Sequence, residues 1–530
     1  MPSLLSTDAA AGRCEDGGSR RVPRQEGDPV TEQITALRRD LETAGYTVDA
    51  LRELWGDSAD AALHRGRRLP ALRRLEASAP SPLATLARLF VLGYPSTKED
   101  LDRALPSLGA LGAEQLGLVG IEGDAVAPAL DLRPYSFVDA FGAGHWWIAS
   151  DLGEIATDGP LRLDHVLGVG GASLTLARLQ LPTRARRVLD LGTGSGIQAL
   201  HASRGADEVV ATDISARALE LTRFNAALNE TLVVTRLGSL FDPVRGERYD
   251  RVVSNPPFVI TPRGADVPDY EYRDGGLVGD GIVEAVVRGV SDVLVEGGIA
   301  QLLGNWEYRA DEDGLDRVRG WAEASGLDAW VIERERQDPS LYAETWIRDG
   351  GTLPGTPAFD ALHEAWLADF DARGVTAVGF GYLLLRRPVG GVVTLRRFER
   401  VADALGDEPG GLGRHLQAAL DGHDWQVERD DVALLSARLV VAPDVTEQRH
   451  HWPGDADPAA MDLRQGGGFM RTVLLDTALA AFVGACDGEL AVGQIIAAIA
   501  SLLEADESEL RAELLPRIRS LLDDAMLLPD

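Results

Sequence analysis

The sequence predicts an α/β, doubly wound fold at its centre, over residues 136–390, with a mainly helical unit on either side. Three observations predict it. Short apolar runs alternate with helical patterns between residues 160 and 390. A glycine-rich turn follows directly on one of the first of these runs. The 530-residue length exceeds what one hydrophobic core supports and points to two to four domains.

In chain order, residues 1–30 are rich in Gly, Ser, Asp, Arg and Pro and read as a disordered tail. Residues 31–135 form the first flanking unit. Leu37, Leu41, Tyr46, Leu51 and Trp55 follow helical spacing, and a second helix covers 82–92. A third covers 96–105, with Ser96 as N-cap and Glu99 closing a capping box. Two short strands follow, which makes the unit winged-helix-like. In the centre, strands are expected at 187–191, 208–212, 232–235, 249–254, 299–303, 330–333 and 378–385. That makes seven, the last two a hairpin. Helices fall between them, for example at 216–229 and 281–294. Residues 391–530 form the last unit, which from 471 onward reads as three short helices and a strand-like tip. Leu490, Val492, Ile495, Ile496 and Ile499 make one apolar helix face there, and Leu514, Leu515, Ile518, Leu521 and Leu522 another. This unit too is expected to be winged-helix-like.

Charge and composition narrow the function. Lys and Arg total 52 against 83 Asp and Glu, a net charge of −31. Such a chain repels nucleic-acid phosphates unless its cations are gathered in one patch. Lys98 is the sole lysine, a compositional bias rather than a signal. The two cysteines, Cys14 and Cys486, give no disulfide framework, and no Cys/His grouping has metal-ligand spacing. His450 and His451, being adjacent, suit a solvated loop. No apolar run spans a bilayer and no signal-peptide core opens the chain, so the expectation is a cytoplasmic protein with neither metal nor membrane.

Three motifs carry chemistry. The first is Val188-Leu189-Asp190-Leu191-Gly192-Thr193-Gly194-Ser195-Gly196, a strand, a glycine turn and the start of a helix. Glycine lets the backbone approach a nucleotide without a Cβ clash, and the helix N-terminus offers N–H groups. The spacing is GxGxG, with Ile197 where a dinucleotide fold needs its third glycine. Asp190, Gly192, Thr193, Gly194 and Gly196 are therefore candidate binding residues. The second motif is Asp213 at the next strand end, followed by Ile214. A carboxylate here can accept both hydroxyls of a ribose, against the alternative of a helix N-cap. The third is Ser254-Asn255-Pro256-Pro257-Phe258 at the end of the fourth strand.

Together these resemble class I S-adenosylmethionine (SAM) dependent methyltransferases with an NPPY/F motif. The likeness is to release-factor glutamine N5-methyltransferases and small-domain RNA guanine-N2 methyltransferases, and it is best over 190–280. The segment Val259-Ile260-Thr261-Pro262 and the glycines of 272–281 extend the first likeness. The phenylalanine of NPPF favours the second. The resemblance implies a Rossmann-like, seven-stranded methyltransferase domain that binds SAM and methylates a planar amide or exocyclic amine. Asn255 Oδ1 and the Pro256 carbonyl would accept the two N–H groups of that nitrogen, and Phe258 would stack on its planar group. The resemblance also implies contacts from residues 166–173 to the methionine end of SAM, although the Pro-Arg-Pro-Glu-Thr type segment common there is absent. Ser239 stands, with Leu240 beside it, where relatives place an acidic residue on the adenine amine; Asp242 is a possible substitute. Asn225 and Asn229 read as structural or solvent-facing, and Trp146 and Trp147 as core aromatics. The expected substrate is a macromolecule, protein or ribosomal RNA. The alternatives are a small-molecule N-methyltransferase and a non-catalytic SAM-binding regulator.

Overall fold

The structure, a computed structural model, describes residues 29–153, 156, 162–263, 267, 272–406 and 411–530. The tail expected at 1–30 lies, up to residue 28 and including Cys14, outside the described residues.

The centre is one eight-stranded sheet: β1 (Ala185–Leu191), β2 (Ala206–Asp213), β3 (Val234–Leu237), β4 (Tyr249–Ser254), β5 (Leu294–Arg309), β6 (Asp328–Gln337), β7 (Val375–Arg386) and β8 (Arg396–Arg400). Their spatial order is β8-β6-β7-β5-β4-β1-β2-β3. The strands β5-β4-β1-β2-β3 run parallel, and β7 lies antiparallel between β5 and β6. Alternate residues divide the core by face. Val188, Val209, Ala211 and Val253 meet Ala199 and Ala202, small residues that let the helix Ile197–Ser203 lie close. Leu189, Leu191, Val210 and Val252 belong to the larger cluster on the other side. Burial on both faces is why these strands read as near-continuous apolar runs.

Two expectations about this sheet need correction. Its strands number eight, not seven, because Arg396–Arg400 adds in parallel to β6 (Val331↔Phe398). A strand reading Arg-Arg-Phe-Glu-Arg has the charged composition of a protected edge and gives no apolar signal. The last two predicted strands, β6 and β7, do pair antiparallel (Trp330↔Leu384). They are joined through the helices Pro339–Asp349 and Pro357–Arg373, so they are not a hairpin.

The N-terminal unit carries helices from Pro29–Thr43 to Gly109–Gln115 and a three-stranded antiparallel sheet of Ser96–Thr97, Ala125–Pro128 and Val119–Glu122. The expected cap shifts by one residue. Thr97, not Ser96, caps the helix Lys98–Ala104 by accepting from Asp100 N, and its hydroxyl donates to the Asp100 carboxylate at 2.8 Å. A two-stranded ribbon follows, Leu130–Asp139 against Gly142–Asp151. Asn225 and Asn229, one turn apart on the helix Ala216–Leu228, bind the ribbon's backbone as a strand would. Asn229 accepts from Trp147 N at 3.0 Å and donates to Trp147 O at 2.8 Å. Asn225 does the same at Ala149 (2.8 and 2.9 Å) and donates also to Ser195 O at 2.8 Å. Trp146 and Trp147 are buried, the latter donating its indole N–H to Tyr46 O at 2.7 Å.

Residues beyond 400 make two further three-stranded sheets and the helices Gly413–Val427, Thr477–Gly484, Val492–Leu503 and Glu507–Asp523. Leu412, Leu416, Leu420 and Phe469 share the apolar cluster of the central sheet. No helix among the described residues is long and apolar enough to cross a membrane.

Candidate active site

Strand order reverses at β1, which has β2 on one side and β4 on the other. In open α/β sheets such a switch point, at the carboxyl ends of the strands, is where ligands bind. Ser254 Oγ donates to Leu191 O at 2.7 Å and ties the two strand ends together. The glycine turn and the Asn255 turn thus leave the sheet side by side.

Gly192, Gly194 and Gly196 have φ of +71°, +56° and +87°, a region that favours glycine. The first two hold space open: a Cβ on either would meet nothing within 4 Å. At Gly196 the need is different, since a Cβ would come 3.0 Å from Thr222 Cγ2. The turn is held from below. Gly192 N and Thr193 N both donate to Thr212 O, at 2.9 and 3.0 Å. Asp190 Oδ2 accepts from Thr193 Oγ1 (2.6 Å) and Ala199 N (2.9 Å). Asp190 is fully buried, and burial pushes its carboxyl up to about 7. Asp190 and Thr193 therefore support the turn with their side chains.

Asp213 closes β2 with both carboxylate oxygens oriented by backbone donors, Gly194 N at 3.0 Å and Ser215 N at 2.9 Å. Ile214, next to it, is 65% exposed. Gly238 N donates to Asp213 O at 2.9 Å, which brings the β3 turn alongside. In that turn Ser239 is exposed and Leu240 sits at φ +46°, a conformation costly for a side chain with a Cβ. Asp242 is paired with Arg245 at 2.6 Å.

On the β4 side, Asn255 Oδ1 is buried with no hydrogen-bond partner among the described residues. A buried amide oxygen left in this state costs stability, and active sites hold such groups ready for a ligand. Pro256 O accepts from Phe258 N at 2.7 Å, which fixes the turn around Pro257 and leaves the carbonyl a second lone pair. Val259 N donates to Arg273 O at 3.0 Å, and Arg273 Nη1 donates to Trp346 O at 2.6 Å. The helix Pro339–Asp349 is thereby drawn over the turn.

Phe258 opens onto a cavity of about 320 Å³ shared with Ala172, Thr175, Asn305, Tyr342, Trp346 and Phe380. The Phe258 and Phe380 rings lie 5.7 Å apart. Asn305, Tyr342, Trp346 and Phe380 went unnoticed in the sequence. The available signal was Asn305, a polar residue inside the apolar run of β5.

Known proteins match these same segments. Residues 169–267 match the methyltransferase small domain family, and residues 43–129 match a domain of unknown function, DUF7059. The release factor glutamine methyltransferase of Xylella fastidiosa is 37% identical over 136 residues, 24% of this chain and 49% of that protein. The ribosomal protein uL3 glutamine methyltransferase of Bradyrhizobium diazoefficiens is 35% identical over 163 residues, 28% of this chain and 50% of that protein.

Residues 169–267 thus carry a methyltransferase small domain, similar to those of class I SAM-dependent methyltransferases. The chain spans about half the length of each of these relatives. The ribosomal protein L11 methyltransferase of Symbiobacterium thermophilum is a third relative, 34% identical over 148 residues, 26% of this chain and 47% of that protein.

Proposed function

We propose that this methyltransferase transfers a methyl group from SAM to a planar nitrogen of a macromolecule, a glutamine carboxamide of a protein. The observation that carries the reading is the unpartnered, buried Asn255 Oδ1 beside an open glycine turn.

The residues fit SAM. Gly192 and Gly194 leave room for its backbone-proximal atoms, Asp213 presents an oriented carboxylate to ribose hydroxyls, and the exposed Ile214 offers an apolar face to a purine. Ser239 and Leu240 would border the adenine. Bound SAM supplies a methyl carbon on a positively charged sulfur, and that sulfur keeps the bonding pair on departure.

An amide nitrogen is a poor nucleophile because its lone pair is delocalised. Asn255 Oδ1 and Pro256 O accept its two N–H groups, hold the nitrogen toward the methyl and favour the pyramidal geometry of the transition state. Phe258 bounds the planar group. The N–H proton becomes acidic once the C–N bond forms, so the site needs no strong base. The −31 charge, with the glutamine named in two relatives, favours a protein acceptor over RNA.

The flanking units read as substrate-docking modules. The order of short strand, two helices and paired strands in the N-terminal unit supports a winged-helix-like reading.

Asn255→Ala tests the site. Turnover should fall about 100-fold or more, as when one preorganised polar group is lost from a transition state, while calorimetric SAM affinity stays within a few-fold. Unchanged turnover would remove Asn255 from the chemistry.

A further inference from the structure

The cavity behind Phe258 is lined by a further amide without a full set of partners, Asn255 lying outside its lining. Asn305 on β5 is 2% exposed, and one of its two terminal amide atoms, Oδ1 as placed, has no hydrogen-bond partner among the described residues. Its other terminal atom lies 2.6 Å from Tyr342 Oη. Tyr342 Oη in turn accepts from Ile260 N at 3.1 Å.

Hydrogen-bond accounting decides which way the Asn305 amide faces. Burial holds the Tyr342 hydroxyl well above the ordinary tyrosine range, so the phenol keeps its proton. That proton needs an acceptor, and the oxygen already takes the Ile260 N–H. A 2.6 Å contact is short for N–H···O and ordinary for O–H···O. The two ends of an asparagine amide are assigned from their network. The consistent assignment has Tyr342 donating to the Asn305 carbonyl, which leaves the Asn305 NH2 as the group without a partner on a side chain that lines the cavity. Of the other polar side chains that line it, Gln337 donates to its neighbour Glu335 at 2.6 Å and Thr345 to Leu341 O at 2.8 Å.

We infer that Asn305 is a specificity-determining residue whose NH2 group binds the carbonyl oxygen of a carboxamide acceptor, with the aliphatic stem of that acceptor lying in the cavity behind Phe258. This rests on the reading of Asn255 as the group that holds the reacting nitrogen. The two asparagines then divide one carboxamide between them, Asn255 accepting from its NH2 and Asn305 donating to its C=O. A guanine flanks its exocyclic amine with a ring N–H on one side and the ring nitrogen N3 on the other, so it meets the Asn305 donor only through N3, in a rigid fused ring with no aliphatic stem. A site that pairs the acceptor's polar atoms strongly disfavours analogues that leave its own groups unpaired.

The test reads binding without turnover. Full-length protein labelled with 15N-asparagine is saturated with S-adenosylhomocysteine and titrated with N-acetylglutamine methylamide. N-acetylmethionine methylamide and 9-methylguanine serve as controls. The Asn305 side-chain pair, assigned by its loss in Asn305→Ala, should shift saturably with the glutamine probe and with neither control. No shift up to the solubility limit, or a shift with 9-methylguanine and not with the glutamine probe, overturns the proposal. Asn305→Ala should in addition lower kcat/KM for the protein acceptor about 10- to 100-fold, the cost of one lost hydrogen bond beside an unpaired group, with SAM affinity unchanged. A protein that binds the glutamine probe through Asn305 yet methylates nothing contradicts the preceding reading and leaves this one standing.

Discussion

At Asp190 a single side chain joins sequence pattern, strain and chemistry. It sits in the motif as an acidic strand end, and its structural work is to hold the glycine turn through Thr193 and Ala199. Burial raises its carboxyl to about 7, above the ordinary value of 3.8 that it has when unfolded. The protonated form is therefore favoured by the fold. The penalty for ionising it is absent below pH 4, grows between 4 and 7, and is full above 7. Asp190→Asn removes that penalty, so the melting temperature of the variant relative to wild type should climb as pH rises through this window. A difference that stays flat with pH would mean that Asp190 titrates normally. The motif residues were legible because backbone geometry dictates glycine and because the NPPF turn has few other uses. The cavity behind Phe258 was not, because Asn305, Tyr342 and Phe380 come from distant elements with no shared spacing, and only the folded β5, the helix Pro339–Asp349 and β7 bring them together.

Among elements, the helix Ala216–Leu228 carries more than its own packing. Asn225 is buried and satisfies three backbone groups, two on the ribbon at Ala149 and one at Ser195 inside the glycine turn. Leaving buried backbone groups unpaired costs about 1–3 kcal/mol each, so Asn225→Ala should lose at least about 2 kcal/mol in urea unfolding. A loss under about 0.5 kcal/mol, the ordinary scatter of a surface change, would show the ribbon to be held by packing alone. The seven strands were legible in place because their apolar runs sit between helical stretches, although β5 runs over 294–309 where 299–303 was expected. The eighth was hidden by its charge: Arg397 and Glu399 are spent on Asp524 and on Trp330 and Arg471, contacts that no local pattern encodes. The cap at Thr97 was missed by one position because Thr97 with Asp100 repeats the spacing of Ser96 with Glu99, and the exchange of bonds forms between Thr97 and Asp100.

Across the molecule, the C-terminal region is built into the methyltransferase core rather than appended to it. The helix Gly413–Val427 meets the end of Gly171–Leu179, whose first residues line the cavity behind Phe258. The backbones approach so closely that a Cβ on Gly413 would fall 2.1 Å from Gln180 O. Gly413→Ala should therefore lower the melting temperature, whereas Gly320→Ala, on an exposed helix face where a Cβ meets nothing within 4 Å, should hold or raise it. Equal effects would mean that the close approach is not maintained in solution. The length pointed to several domains and gave no sign of this interlocking, because the contact is backbone on backbone and leaves no mark but a glycine. The central claim concerns the acceptor, and one measurement addresses it directly. Purified protein is incubated with methyl-labelled SAM and lysate from a strain lacking it, with Asn255→Ala as the control. The account predicts wild-type label that survives nuclease, disappears with protease, and is released as methylamine on acid hydrolysis of the protein. Label that survives protease and is lost with nuclease would contradict it and make a nucleic-acid base the acceptor.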